Sequence, residues 1–178
     1  MLAHLRRSVA LTVVLVVVCL VYMYVETGIG QAFFKSQADG SLTKYGSTEI
    51  GQLWTGPKWF QGRLDSFNPA SSGPTSYGPR SRQLYKQVKT EIAALEKEGI
   101  TPTNGLVTGS GSGIDPDIAP ADAYAQVNAV ATANGLPAAE VRNLVTANIA
   151  PVYLGIFGAP YVNVLQLNEA LSQLVTSK

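Results

Sequence analysis

The residue types best suited to hold an anion lie together in Val107-Thr-Gly-Ser-Gly-Ser-Gly-Ile-Asp-Pro-Asp-Ile-Ala-Pro120. Glycine carries no Cβ, so backbone N–H groups in such a run can come close to a phosphate or to a partner backbone. A structural tight turn is the competing reading, and by physics alone it stands at least level with the anion site. The run is not a Walker loop, because no Gly-Lys-Ser/Thr follows Gly109-Ser-Gly-Ser-Gly113. Its glycine spacing also differs from that of a dinucleotide fingerprint.

Other chemistries are closed off by composition. The single histidine is His4, ahead of the first apolar run, so the main domain can build neither a Ser-His-Asp nor a Cys-His arrangement, nor a histidine metal site. The lone cysteine is Cys19, so that domain also lacks a disulfide or thiolate site. Asp115 and Asp117 are two carboxylates without further ligands, a weak calcium pattern. With Asp122 they are better suited to complementing the positive end of a helix starting at Pro120. No catalytic residue and no metal site are therefore expected.

Where the run lies relative to a membrane decides what it can meet. Ser8 to Val25 is apolar throughout and has no charge, glycine or proline. At about 1.5 Å per residue it spans roughly 27 Å, close to a bilayer core of ~30 Å. Residues 1–7 form a short tail before it, and Tyr22 and Tyr24 suit the headgroup level. A cleaved signal peptide is the rival reading, but the core is long for one, and Glu26-Thr-Gly-Ile-Gly30 lacks a clear cleavage pattern. Val16-Val17-Val18 before Cys19 do not make a lipobox. Arg6 and Arg7 abut the run, whereas Lys35 is about ten residues beyond it, which places the N-terminus in the cytoplasm and residues 26–178 outside. Ser8, Thr12, Leu15, Cys19 and Tyr22 share one stripe of this helix. Small and polar residues there suit packing against partner helices in lipid, although an arbitrary placement reads the same way.

Residues 26–178 are enough for one compact domain. The chain has 13 Lys/Arg and 12 Asp/Glu, and because Arg6 and Arg7 precede the span, the domain is close to neutral. With no basic stripe it offers no footprint for nucleic acid. Thr27-Gly-Ile-Gly-Gln31 reads as a flexible exit, Ser47–Trp54 as a strand, and Asn68–Pro79 as a long loop. Trp54, Trp59 and Phe60 suit core or interface, with headgroup contact as the alternative. Leu84, Val88, Ile92 and Leu95 recur at helical spacing through Ser81–Glu98, and Gly99 stops that helix. Gly105–Thr108 reads as a strand. Helices follow from Pro120 to Asn134-Gly135 and from Pro137 through Val141, Leu144 and Val145. Tyr161–Leu167 reads as a buried strand, with Asn168 capping a last helix. The fold class is α+β, a single mixed α/β soluble domain after one transmembrane helix.

The Gly/Ser run, with Gln126-Val127 in the next helix, resembles the central motif of the C subunit of the bacterial high-affinity potassium-transporting ATPase, the Kdp system. Thr27-Gly-Ile-Gly-Gln31, Gly46-Ser47 with Ile50-Gly51-Gln52, Trp59-Phe60 with Arg63, Ser71–Pro79, and Val162-Asn163-Val164-Leu165 with Leu167-Asn168 match in the same order. The resemblance covers the whole chain. The family usually has Pro-Ser where Leu64-Asp65 stand, His where Asp117 stands and Ser where Ala119 stands.

The resemblance implies a non-catalytic subunit in a bacterial cell membrane. Its partners would be a channel-like potassium-binding subunit, a P-type ATPase subunit and membrane lipid. It also implies a chaperone role that raises the ATPase subunit's affinity for ATP. Thr108, Ser110, Ser112, Gly113, Asp115, Pro116 and Gln126 are then the candidate nucleotide or partner residues, and Ser8, Thr12, Cys19 and Tyr22 the candidate packing residues of the span. No cofactor is intrinsic, and ATP would come through the ATPase partner. An external domain cannot touch cytoplasmic ATP, and its alternative role is a cap over the potassium-conducting subunit. An unrelated membrane-tethered binding domain or an enzyme of an unfamiliar kind is the hypothesis from a different class.

Overall fold

The structure is a computed structural model that describes residues 2–177. Met1 and Lys178, the outer limits of the expected tail and domain, lie outside those residues. The chain divides after Leu42 into two compact units.

The first unit holds α1 (Leu2–Phe33) and the short α2 (Lys35–Ala38). α1 is long and apolar enough to cross a membrane, with a mean hydropathy of 2.6 in its most apolar window. It takes in Leu2–Arg7, expected as a tail, and it also continues through Thr27-Gly-Ile-Gly-Gln31, where a flexible exit was expected. Two glycines cost a helix only about 1 kcal/mol each, and no proline intervenes before Phe33. The Thr27 hydroxyl donates to the Met23 carbonyl at 2.8 Å within the continuing helix. Ser8, Thr12, Cys19 and Tyr22 are all exposed, and the Thr12 hydroxyl donates to the Ser8 carbonyl at 2.9 Å.

In the second unit α3 (Arg82–Lys97), α4 (Pro120–Asn134), α5 (Ala138–Ala147) and α6 (Val164–Thr176) surround a small sheet of β1 (Asp117–Ile118), β2 (Ile149–Ala150) and β3 (Tyr161–Asn163). The strand order is β1-β3-β2 and both pairings are antiparallel, with Ile118 opposite Val162 and Ile149 also opposite Val162. This is the mixed α+β arrangement that the segment order implies. Phe60, Ile118, Val127, Val130, Val141, Val145, Val162, Leu167 and Leu171 form the main core. A smaller cluster of Leu95, Ile100, Leu106, Val107 and Ala129 receives the α3 stripe through Val88 and Ile92.

Helix ends follow local chemistry. The Ser81 hydroxyl caps α3 by accepting from Leu84 N–H, and Gly99, at φ +76°, follows its end. Pro120 opens α4 and Gly135 closes it in the left-handed conformation. Ala119 has no side-chain oxygen to cap with. In place of a serine cap, the Asp122 carboxylate reaches back to Ala119 N–H at 3.3 Å and accepts from the Thr103 hydroxyl at 2.6 Å.

Three strand expectations are corrected. Ser47–Trp54 is irregular, and Gly51 N–H donates to the Ile114 carbonyl at 2.8 Å instead of entering a ladder. Gly105–Thr108 lies in a turn closed by Val107 N–H to the Thr103 carbonyl at 3.2 Å, with the Asp122 carboxylate where a side chain on Gly105 would have to go. Tyr161–Leu167 is a strand only to Asn163, because Asn163 itself caps α6 by accepting from Gln166 N–H.

Asn168 therefore has a different task. Its side-chain oxygen accepts from Phe60 N–H and its amide donates to the Phe60 carbonyl, both at 2.9 Å. Gln126 repeats the arrangement one residue on, accepting from Gln61 N–H at 2.7 Å and donating to the Gln61 carbonyl at 3.0 Å. Two fully buried amides from α6 and α4 thus serve the backbone of a segment that has no strand partner. The clamp fixes the start of the stretch that carries Arg63 and Asp65.

Candidate functional site

Asp65 organises the Gly/Ser run. One carboxylate oxygen accepts from Ser110 N–H at 2.7 Å. The other accepts from the Ser110 hydroxyl at 2.6 Å and from Asp115 N–H at 3.1 Å. A carboxylate inside a ring of backbone and hydroxyl donors makes the charge-assisted bonds that a bound anion would make. The Ser110 oxygen in turn accepts from Gly113 N–H at 2.9 Å. Because the Ser110 proton goes to Asp65, Ser112 is the donor in the 3.2 Å contact between the two hydroxyls, and it also accepts from Ile114 N–H at 3.2 Å.

The outer edge of the run is stitched to residues 66–73. Gly73 N–H and the Ser72 hydroxyl donate to the Ser112 carbonyl at 2.6 and 3.0 Å, and Phe67 N–H donates to the Gly113 carbonyl at 3.0 Å. Gly113 sits at φ +68°, and a side chain there would run into the Gly73 carbonyl oxygen. A Cβ on Gly109 would lie 2.9 Å from the Leu64 carbonyl oxygen. Gly109 and Gly113 are thus used for close backbone contact within the chain itself, whereas Gly111 faces open space.

Arg63 pairs with Asp115 at 3.7 Å, with both side chains about 30% exposed, so the pair adds little stability. Asp115 also accepts from Asp117 N–H at 3.1 Å. Burial pushes the Asp117 carboxyl above its ordinary range; the Asn163 amide that donates to it pulls it down, and Asp115 and Glu49 push it up again. Among the described residues no three His, Cys, Asp or Glu side chains gather in a way that would hold a metal.

The structure brings Ser110, Ser112, Gly113, Asp115 and Pro116 into this neighbourhood, and Pro116 spends its carbonyl on Val164 N–H at 3.0 Å. The Thr108 hydroxyl turns back to the Asn104 carbonyl at 2.6 Å. Gln126 is fully buried with its amide committed to Gln61 and to the Asp122 carbonyl. Of Asp115, Asp117 and Asp122, only Asp122 serves the start of α4. Sequence reasoning did not pick out Asp65 as a partner of the loop. It lies 45 residues before Ser110, and no spacing rule connects them. An open depression between Thr43–Tyr45 and α6, with Glu169 and Ser172 on its wall, shares none of these residues.

The family model described as KdpC, the c chain of K+-transporting ATPase, matches residues 5–173. A potassium-transporting ATPase KdpC subunit from Burkholderia ambifaria is 46% identical, with 93% of this chain and 94% of the relative covered. One from Caldanaerobacter subterraneus subsp. tengcongensis is 41% identical over 94% of both chains. A third, from Caulobacter vibrioides, is 40% identical over 96% of this chain and 93% of its own. The chain belongs to the KdpC family.

Proposed function

With membership of the KdpC family as premise, we propose that the protein is a non-catalytic accessory subunit of an ATP-driven potassium-uptake complex. α1 anchors it once in a bacterial cell membrane, with the N-terminus cytoplasmic. The globular unit stands outside the cytoplasm as a cap docked on the channel-like potassium-binding subunit, and the P-type ATPase subunit completes the complex. In this reading the Gly/Ser run is a brace that shapes the cap and takes no nucleotide.

The observation that carries this reading is the Asp65 carboxylate seated in the run and accepting from Ser110 N–H, the Ser110 hydroxyl and Asp115 N–H. A phosphate would have to displace it or lie beside it. Two unit charges about 4 Å apart repel by about 4 kcal/mol at an effective dielectric of about 20. Arg6 and Arg7 against the apolar run support the orientation.

The test is made on the assembled pump. Ser110→Ala and Ser112→Ala are expected to leave the apparent ATP affinity within about twofold of the parent, because neither hydroxyl meets nucleotide. A severalfold weaker ATP dependence with assembly intact would restore the chaperone role that promotes ATP binding. A reporter fused to the C-terminus should work only if it is a type active outside the cytoplasm. Strong signal from a cytoplasm-only reporter overturns the cap.

A further inference from the structure

The open depression between Thr43–Tyr45 and α6 has a volume of about 540 Å³, within the range of small-ligand sites. Its walls are held in place by the fold. Tyr45 is braced by Trp54, whose ring meets it edge-on at 6.3 Å, and Trp54 by Trp59 at 5.1 Å; both tryptophans pack on the main core. From the other side α6 supplies Glu169, Ser172 and Gln173. The Tyr45 and Ser172 hydroxyls join the two sides at 3.4 Å.

Two opposite charges face this space, and the chain pairs neither of them. Glu169 Oε1 is shielded from solvent, and no donor of the chain reaches it. A carboxylate that has lost water at one oxygen and gained no donor there depends on a positive partner at the other. Lys44 holds its ammonium 5.2 Å over the Tyr45 ring, and no ion pair joins it to Glu169. The Tyr45 phenol is held below its ordinary range, first by the Ser172 hydroxyl and then by the Lys44 charge, against an upward push from Glu169. Both charges therefore reach the same oxygen.

We propose that this depression binds a small zwitterion, a primary ammonium joined by a short spacer to a phosphate, as in an aminoethyl phosphate group. A bare cation would meet the Lys44 ammonium, and a simple anion the Glu169 carboxylate. A zwitterion turns each end to the opposite charge. Its ammonium carries N–H donors only, and the Glu169 carboxylate with the Tyr45 and Ser172 oxygens presents the acceptors. At the other end Lys44 is a compact point charge of the kind that holds phosphate, with Gln173 on the same rim. The depression lacks an arginine, whose planar fork matches a carboxylate better. The same group comes from two sources, the headgroup of an ethanolamine phospholipid and soluble phosphoethanolamine. The site shares no residue with the Gly/Ser run and works on either side of a membrane.

The experiment is a calorimetric titration of the full chain, in non-ionic detergent, with phosphoethanolamine. Saturable binding is expected. Ethanolamine and inorganic phosphate, which each satisfy one charge only, should bind at least about tenfold more weakly, and so should phosphocholine, whose quaternary ammonium has no N–H. Glu169→Gln and Lys44→Gln should each weaken phosphoethanolamine about tenfold or more, with unfolding midpoints close to the parent's. No saturable binding, equal binding of ethanolamine or inorganic phosphate, or parent-like affinity in either variant overturns the site. Midpoints lowered in both variants assign the two charges to the fold and overturn it as well. Phosphatidylcholine vesicles with and without phosphatidylethanolamine then separate the sources. Weaker phosphoethanolamine binding when the ethanolamine lipid is present supports the site with the headgroup as its occupant, and equal affinity supports it with the soluble compound.

Discussion

The Gly/Ser run and the Tyr153–Phe157 hairpin are both loops, and they are turned opposite ways from what composition suggests. The polar, glycine-rich segment lies at the surface yet is tied to its own chain, with the donors of Ser110, Gly113 and Asp115 spent on Asp65 and Ser110. The apolar one faces solvent with its large side chains uncovered. Availability for binding therefore follows the hydrogen-bond inventory and exposure of a loop, and not its content of small or polar residues.

The contrast can be broken most forcefully at Gly113. Gly113→Val combines a left-handed backbone with a clash against Gly73 and should cost more than about 3 kcal/mol, or prevent folding, by denaturant titration. A small loss would mean that the run is loose after all. Asp65→Ala comes next. Removing an acceptor of three hydrogen bonds at a partly buried site should cost about 2–3 kcal/mol and raise hydrogen exchange at Ser110 and Asp115. Asp65→Asn should recover part of that, since one amide oxygen can still accept.

The hairpin should behave in the opposite manner. Leu154→Ser or Ile156→Ser is expected to move the stability of the chain alone by no more than about 0.5 kcal/mol, because neither side chain is packed. A larger loss would show that the tip belongs to the fold.

The smallest effect concerns Asp117. Its folded carboxyl is raised above its unfolded value, chiefly by burial. Its contribution is therefore fully present below the ordinary carboxylate range and is lost as pH rises through the folded value. Asp117→Asn should thus be more stable than the parent at neutral pH, and the difference should vanish in acid. A parent whose stability rises between weakly acidic and neutral pH relative to the variant would contradict the sign.

α3, α4 and α5 were legible because their signals are local, whereas both ends of α1 and the start of α6 were not. The apolar stripe of α3, Pro120 and Gly135 each act within a few residues, and the structure puts ends where those residues demand them. Of the strands only the start of β3 was read, since β1 and β2 are two residues long and β3 three, too short for alternation to register. Asn163 and Asn168 exchanged roles for a related reason. Either can cap a helix, and what decides is the unpaired backbone of Phe60, which a one-dimensional pattern does not contain. At the candidate site the Gly/Ser run was legible as a place of close backbone approach. Its partner, Asp65, was not, because the contact is made by the fold and not by spacing.

The buried amide clamp also sets the order in which this domain can be finished. Phe60 and Gln61 wait for Asn168 and Gln126, which are 108 and 65 residues further along. Contacts of such separation pay their loop-closure entropy late. The stretch around Phe60 and Gln61 is made before either partner, and its buried backbone groups gain them only when α4 and then α6 have been made. Truncation inside α6 would therefore loosen the segment around Phe60, far from the cut in sequence.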